Sequence, residues 1–193
     1  RALEFAKKYN VPIHVRSSFT DTPGTIICEE VEEMEEVVVR GVALQRDEAK
    51  LTLQGVPDVP GIAAKICGAM GRRNINVDMI IQNATVSGKT YFTFTCLKAD
   101  FRDALEAMEQ LRRDLGAAGV LSDENIAKVS VVGVGMRSHT GVAKTMFEAL
   151  AEAGINIQMI STSEIKISCV VDEARGEDAV RAIHKAFKLD QKP

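Results

Sequence analysis

The chain carries nearly the same sequence twice, eighty positions apart, and this internal repeat limits its fold more than any other feature. The first copy, Gly61–Ile80, reads GIAAKICGAMGRRNINVDMI, and the second, Gly141–Ile160, reads GVAKTMFEALAEAGINIQMI. A repeat this long indicates that one supersecondary unit was built twice. We therefore expect any function to lie at equivalent places in both copies. The identical pairs are Gly61 with Gly141, Ala63 with Ala143, Ala69 with Ala149, Ile75 with Ile155, Asn76 with Asn156, Met79 with Met159 and Ile80 with Ile160.

Composition excludes several classes of protein. The 193 residues are 46% hydrophobic and 26% charged, which is typical of a globular protein. The net charge of −3, with no dense basic tract, argues against nucleic acid as a partner, and no apolar run approaches the roughly 20 residues of a membrane span. The four cysteines are scattered and no histidines cluster, which argues against a zinc or redox site and predicts reduced thiols in a cytoplasm.

Hydrophobic periodicity predicts the order strand, helix, strand, strand, helix, strand for the first copy. This βαββαβ order is the ferredoxin-like unit, an α+β fold with helices on one face of an antiparallel sheet. Asp100 is expected to cap the second helix. The predicted strands are 50–56, 76–83, 89–97 and the segment GVLSD, and the predicted helices are 62–73 and about 100–115.

The second copy ends one strand short of this unit. Strands at 128–134, 156–161 and 164–171 and helices at 141–153 and 176–187 account for five of its six elements. The β-branched segment Val37–Leu44 is not needed by the first copy and would supply the missing edge. We therefore predict a first domain at 50–124 and a second built from 37–49 and 125–193.

Residues 1–33 are too few to bury a core of their own. They begin inside a predicted helix without a methionine, and they lead into the glutamate-rich run Glu29–Glu36, which is typical of a solvated linker. We expect this segment to be the tail of a domain that is absent here.

No catalytic set emerges from the sequence. His14, His139 and His184 are far apart and lack a nucleophile motif nearby. The segment VVGVGMRS has Ser138 where a dinucleotide fingerprint needs its third glycine. Gly88-Lys89-Thr90 lacks the upstream glycine of a phosphate loop. We predict neither catalysis nor a metal in this chain.

The repeated loops before the first helix of each copy, Asp58–Ala63 and Met136–Val142, are better candidates. Each has a glycine at the helix start, where free backbone N–H groups and the helix dipole favour a carboxylate. An ordinary tight turn would also use a glycine, so it is the recurrence that favours a site. Asn76 and Asn156 offer a donor and an acceptor, although turn chemistry after a helix explains them equally well. Together these features predict recognition of a small zwitterion.

Longer segments resemble a known family. GVPDVPGIAAKI, NINVDMIIQN, VVGVGMRSHTGVAKTMFEAL, STSEIKIS and VVRGVA are similar to the tandem ACT domains of aspartate kinase. NVPIHVRSSFTDTPGTII resembles the last segment of that enzyme's amino-acid-kinase domain. Met34 stands where some members begin a separate regulatory subunit.

The resemblance implies a regulatory region for the phosphorylation of aspartate by ATP, the first step of lysine, threonine and methionine biosynthesis. Lysine, threonine or both would bind between ACT units and inhibit the enzyme. It also implies a homodimer formed through the ACT domains and a catalytic domain or subunit as partner. ATP and Mg would belong to that catalytic part, with no cofactor in this chain.

The resemblance also implies two effector sites, each made by the loop of one unit and the asparagine segment of another. Glu164 or Asp78 could hold a lysine ammonium group, and Gln82 a threonine hydroxyl. Thr140 replaces a proline that is frequent in the family, so the effector of that loop stays open. One site would contain Asp58, Gly61, Ile62, Ala63, Gln82, Asn156 and Ile157, and the other Met136, Ser138, Thr140, Val142, Ser161, Glu164, Asn76 and Val77.

Two alternatives remain from the sequence. The first is a free-standing tandem ACT regulator that acts on a protein partner, and the kinase-like opening of the chain argues against it. The second is a ferredoxin-like structural module without a ligand.

Overall fold

The computed structural model describes residues 2–28, 38–83, 88–134 and 139–191. Within these ranges the chain forms two four-stranded antiparallel sheets and a two-stranded ribbon. Two helices pack on one face of each large sheet. The predicted α+β class, with two ferredoxin-like units, is confirmed.

The first unit has its strands in the spatial order β5-β6-β4-β7. The β4–β6 pairing contains a register shift between Leu53 and Val56, and Gly55 in this shift has a positive φ of 65°. The elements are β4 (Glu48–Pro57), α2 (Ile62–Arg72), β5 (Ile80–Gln82), β6 (Lys89–Leu97), α3 (Phe101–Leu115) and β7 (Gly119–Asp123).

The second unit has the matching order β9-β10-β8-β3. Its outer strand β3 (Gly41–Gln45) precedes the first unit in the chain, and it lies antiparallel to β8 from Gly41 opposite Val132 to Gln45 opposite Lys128. This strand takes the position that β7 occupies in the first sheet. The remaining elements are β8 (Ile126–Val132), α4 (Val142–Glu152), β9 (Met159–Thr162), β10 (Lys166–Asp172) and α5 (Gly176–Ala186).

Each unit has its own hydrophobic core between sheet and helices. In the first, alternate residues of the central strands, such as Leu53 and Phe94, meet Ile66 and Met70 of α2. In the second, residues such as Val129 meet Met146 of α4 and the buried positions of α5. Burying a side chain of this size contributes about 1.5–3 kcal/mol, so the period-2 and period-3.6 patterns are sufficient to orient both sheets and helices.

The predicted strands 76–83 and 156–161 are shorter in the structure. Asp78 N–H donates to the Thr95 carbonyl while Thr95 N–H donates to the Met79 carbonyl, so two residues oppose one. Gln158 N–H likewise donates to the Val170 carbonyl, although Met159 is the register partner of Val170. Such β-bulges interrupt the ladder and re-aim side chains, which is why β5 and β9 begin only after them.

The predicted cap at Asp100 is wrong in its detail. Asp100 does precede α3, but a 3-10 turn at Lys98–Asp100 leads into the helix and the Asp100 side chain makes no cap hydrogen bond. Its backbone has φ −95° and ψ −1°, whereas a capping residue needs an extended conformation to aim its oxygen at the helix amides.

The two units pack against each other through the sheet faces that do not carry helices. Met79 and Met159, which are partners in the sequence repeat, form a small buried cluster with Ile126 and Val170. Three ion pairs also join the two units: Lys128 with Glu48, Lys128 with Asp78, and Lys98 with Glu173. Because the repeat partners Met79 and Met159 contact each other's unit at the centre of this interface, the contact between the units is approximately two-fold symmetric.

The N-terminal part consists of α1 (Ala2–Lys8) and a ribbon of β1 (Ile13–Val15) and β2 (Thr25–Ile27). Its apolar side chains are largely exposed, and Phe19 is 95% accessible. The predicted linker Glu29–Glu36, with Met34, lies outside the described residues.

Candidate binding site at the repeated loops

The glycines of the two repeated loops have the same backbone conformation. Gly61 has φ 93° and ψ −7°, and Gly141 has φ 94° and ψ −8°. In both loops the glycine carbonyl accepts the first hydrogen bond of the helix, from Lys65 N–H at 3.0 Å and from Thr145 N–H at 2.9 Å. This left-handed region is open to glycine and strained for other residues. The recurrence seen in the sequence is therefore a recurrence of geometry.

The helix N-termini beside these glycines are suited to an anion. Among the described residues, no side chain caps α2 or α4, and neither helix has an acidic residue in its first turn. The positive end of each helix dipole is thus not compensated by the helix itself. A Cβ built on Gly61 or Gly141 would have no heavy atom of the described chain within 4 Å, so the described residues leave room beside both glycines.

In the second unit the loop faces a depression of about 480 Å³. Its walls combine backbone amides at a helix start, hydroxyl groups and one carboxylate, which are the groups that bind the two ends of an amino acid. The lining residues are His139, Gly141, Val142, Ala143, Thr162, Ser163, Glu164 and Ile167.

The structure brings some of the predicted residues of this site together. Val142 and Glu164 line the depression. Thr140 is exposed in the loop, and Ser161 is exposed on β9 opposite Ser168. Met136 and Ser138 lie outside the described residues. Sequence reasoning missed His139, Thr162 and Ser163, although the repeat pairs Thr162 with the predicted Gln82 and so offered a signal.

In the first unit the loop is tied to the β5–β6 hairpin. Asp58 N–H donates to the Gly88 carbonyl at 3.0 Å, and this bond ties the loop to the residue that precedes β6. Gly61, Ala63 and Gln82 are exposed, whereas the side chain of Ile62 is buried in the core. A second depression of about 520 Å³ adjoins this region at Asn83, and it is lined by residues other than the predicted ones.

The asparagine segments divide into exposed and packed residues. Asn76 and Asn156 are exposed, while Val77 and Ile157 pack against the cores of their own units. None of these four residues lines the depression at Gly141. The arrangement in which a loop faces the asparagine segment of another unit therefore remains a prediction for an assembly of copies.

Asp78 has a partner in the described chain. Lys128 Nζ donates to its Oδ2 and to Glu48 Oε1. Partial burial acts to raise the pKa of Asp78, but the hydrogen bond and positive charge of Lys128 outweigh this and hold the pKa below its ordinary value. Burial likewise acts against the charged form of Lys128, and its two acidic partners raise its pKa overall. Of the two carboxylates predicted for a lysine ammonium, Glu164 is thus the one that faces a depression.

Within residues 2–28, 38–83, 88–134 and 139–191, no group of three or more His, Cys, Asp or Glu side chains is arranged to hold a metal ion. In the same ranges, no helix combines the length and the apolar character that crossing a membrane requires.

Comparison with known protein families identifies both units. Two models described as ACT domains match residues 51–116 and 129–187. Aspartokinase from Pseudomonas aeruginosa is 56% identical over 192 residues, which cover 98% of this chain and 47% of that protein. The chain thus spans about half the length of the curated relatives it matches.

Solved structures show the same similarity. Aspartokinase alpha and beta subunits give a TM-score of 0.74 at 50% identity, and the match covers 78% of this chain and 99% of that one. The ligand-free regulatory subunit of aspartate kinase from Thermus thermophilus gives 0.74 at 45% identity with the same coverage. Aspartokinase III from E. coli, in complex with lysine and aspartate in its T state, gives 0.68 at 26% identity over 94% of this chain and 40% of that one.

Proposed function

This chain belongs to the aspartate kinase family, as its regulatory region with tandem ACT domains, and we propose that it binds lysine, threonine or both as feedback inhibitors. The observation that carries this proposal is the pair of loops at Gly61 and Gly141. In both, the glycine has the same backbone geometry, and among the described residues no side chain caps the helix and no atom fills the space beside the glycine. A free amino acid supplies the carboxylate that such a helix start favours.

The depression at Gly141 supports a cationic effector in the second unit. The carboxylate of an amino acid would lie at the N-terminus of α4, and its ammonium groups would reach Glu164 and the hydroxyl groups of Thr162 and Ser163. The related E. coli enzyme was solved with lysine and aspartate bound. For the first unit, Gln82 offers an amide to a threonine hydroxyl.

Inhibition would follow from a change in the arrangement of the units. An effector that binds one arrangement better shifts the population toward it, and a coupling free energy of about 1–3 kcal/mol is enough for control. The kinase domain or subunit, which would bring ATP and Mg to the phosphorylation of aspartate, would sense this shift. We propose a cytoplasmic location for the assembly.

The exposed sheet edges support a homodimer. Strands β5 and β9 are the outer strands of their sheets, and each has an exposed isoleucine at the same repeat position, Ile80 and Ile160. An apolar outer strand is a surface that pairs readily with another strand. Side-by-side pairing of units from two copies would cover it and would bring a loop close to an asparagine segment.

Titration calorimetry tests the proposal directly. We expect saturable binding of lysine or threonine at up to millimolar effector, and no binding of leucine. Asp58→Ala and Ser161→Phe should each weaken binding, whereas Asp190→Ala, an exposed aspartate after α5, should not. In the complete enzyme the first two variants should relax feedback without changing the affinity for aspartate. The absence of heat with both effectors would contradict the proposal and favour a protein partner or a purely structural module.

A further inference from the structure

Two lysines at the same position of the repeat reach across the contact between the units. Lys50 on β4 donates to Oε1 of Gln158, and Lys128 on β8 donates to Oδ2 of Asp78. Asp78 and Gln158 are themselves repeat partners, because each directly precedes the shared methionine. Each unit therefore sends a lysine to the same place on the other unit, and we call these two contacts the crossed lysine contacts.

The crossed lysine contacts fix the segments that carry the paired asparagines. Asp78 N–H donates to the Thr95 carbonyl at 3.0 Å, and Gln158 N–H donates to the Val170 carbonyl at 2.8 Å. The backbone of each segment is thus bonded to its own sheet, and the side chain is bonded to the other unit. Asn76 lies two residues before Asp78, so a shift of Asp78 necessarily moves Asn76.

The two crossed lysine contacts are chemically unequal. Lys128 is 3% exposed and also pairs with Glu48, whose side chain is 3% exposed and whose Oε2 accepts no hydrogen bond from the described chain. Lys50 is more accessible and bonds a neutral amide, with Asp123 Oδ2 3.9 Å away. A buried charge pair loses much more than an exposed polar contact when one partner is removed.

The inequality arises from two substitutions between the repeats: Asp78 stands opposite Gln158 in the repeat, and Glu48 opposite Ile126. Glu48, the first residue of β4, lies opposite Leu97, and Ile126, the first residue of β8, lies opposite Asp172. Leu97 and Asp172 are the last residues of equivalent strands, so Glu48 and Ile126 are repeat partners. An acid in the first copy thus gives Lys128 a second charged partner, and the isoleucine in the second copy gives Lys50 none.

We propose that Lys128 is a positioning residue for effector recognition: by pairing with Asp78 and Glu48 it holds the Asn76–Val77 segment of the first unit in place from the second unit. An effector that contacts this segment and displaces it would therefore act on both units, because the segment is bonded to the first unit and Lys128 belongs to the second. This inference rests on the proposed effector binding, and it assigns to Lys128 a role outside the repeated loops.

Lys128→Met and the matched control Lys50→Met, both in the full chain, separate this role from ordinary stabilisation. Hydrogen exchange at the amides of Asp78 and Met79 should become about tenfold faster in Lys128→Met, because the segment opens locally. The amides of the central strand β6 should keep their relative protection. Lys50→Met should change exchange at Gln158 much less. Equal effects in both variants, or unchanged exchange at Asp78 and Met79, would overturn the proposal.

A double variant gives a second readout that a merely structural role would not produce. The charged groups that face Lys128 Nζ are Glu48 and Asp78, with Lys166 acting on Asp78. Without Lys128 the buried Glu48 carboxylate lacks its cation, so the urea midpoint of Lys128→Met should lie below that of the unaltered chain at pH 7. Adding Glu48→Gln to Lys128→Met should restore the midpoint at pH 7 but leave exchange at Asp78 fast. A double variant that is no more stable than Lys128→Met, or in which exchange at Asp78 is slow again, would contradict the pairing.

Calorimetry with lysine and threonine completes the test. We expect Lys128→Met to bind the effector that occupies the Asn76 site about tenfold more weakly, with a smaller change for Lys50→Met. Faster exchange with unchanged affinity would overturn the positioning role. Absence of binding to the unaltered chain would overturn the proposed function and the effector half of this inference. The exchange result would still decide whether Lys128 holds the segment.

Discussion

Lys98 and Glu173 occupy the same position in the two repeats and form an ion pair with each other. Each is the first residue of the 3-10 turn that follows its strand, β6 or β10, and Lys98 Nζ lies 2.9 Å from both carboxylate oxygens of Glu173. Near an approximate two-fold axis a residue meets its own counterpart. Identical charges would repel there, so the copies had to diverge at this position for the two units to pack.

This relationship predicts the outcome of a charge exchange. The side chains are 31% and 33% exposed, so Lys98→Glu should lower the free energy of unfolding by only about 1 kcal/mol, through repulsion between two carboxylates. Adding Glu173→Lys should recover most of the loss, because the exchange restores the same pair with its direction reversed. Urea unfolding of the single and double variants measures this. A double variant no more stable than the single one would contradict the pairing.

The loop glycines predict opposite effects for two similar substitutions. Gly141→Ala should destabilise the chain by about 1–2 kcal/mol, because alanine is strained at a φ of 94°. Gly71→Ala is the matched control, since Gly71 lies within α2, lacks a positive φ and has no neighbour within 4 Å of its added Cβ in the described chain. It should stabilise the helix by about 0.5–1 kcal/mol. Thermal unfolding distinguishes the two variants. Stability changes of the same sign in both variants would be inconsistent with the loop geometry.

The ion pair of Asp78 should make the stability of the folded chain depend on pH in the acid range. Its folded pKa lies below the ordinary 3.8, so the carboxylate stabilises the fold above about pH 4 and this contribution is lost as the pH falls through the folded pKa. Asp78→Asn should therefore be less stable at pH 7 and should approach the unaltered protein as the pH decreases toward about 3. Urea midpoints across this range provide the measurement. A constant difference at every pH would show that the charge of Asp78 is not responsible.

Glu164 predicts the selectivity of the depression at Gly141. Glu164→Gln keeps the shape but removes the charge, so lysine binding should weaken about tenfold while threonine binding stays the same. Glu152→Gln, an exposed change at the end of α4, is the control and should affect neither. Calorimetry with both effectors reports the ratio. An equal loss of affinity for lysine and threonine would mean that Glu164 does not distinguish the side chains of the two effectors.

Strand β3 predicts the effect of shortening the chain. A chain that begins at residue 46 lacks this outer strand and should lose hydrogen-exchange protection across β8, β10 and α5, while β4, β6 and α2 stay protected. The control lacks residues 1–28 only, which removes the exposed N-terminal ribbon but retains β3. It should exchange like the full chain. Equal protection of β8 in both shortened chains would show that β3 is dispensable.

Most of the fold could be predicted because its signals are local and occur twice. The alternation in KTYFTFTCL and the helical spacing of Ile62, Ile66 and Met70 are sufficient to define elements whose cores form within each unit. The repeat aligns Gly61 with Gly141, and their matching φ angles follow from that identity. The strand count also points to the segment that contains β3. The second copy has only three strands of its own, and a four-stranded sheet needs one more strand from elsewhere in the chain.

The sequence-based predictions were wrong or incomplete where the conformation of one segment depends on its contacts with another segment. Asp100 has the side chain of a cap, but the preceding 3-10 turn sets its backbone in a conformation that does not cap. The segment 76–79 has strand-like composition, yet Asp78 leaves the ladder because Thr95 bonds to two residues and Lys128 bonds its side chain. His139 and Ser163 join one depression only after β9, β10 and the loop have been brought together.

The sequence by itself determined the two α+β units, the βαββαβ order of the first, the membership in the aspartate kinase family and the equivalence of the two loops. These depend on periodicity and motifs, which act over a few neighbouring residues. Only the tertiary structure decided how the environments of the two equivalent lysines differ. Lys128 is buried between two acids, whereas Lys50 bonds a neutral amide at a more accessible place. The physical reason is that burial and charge pairing depend on residues 50 to 108 positions apart along the chain, and no local pattern records which of two equivalent lysines is shielded from water.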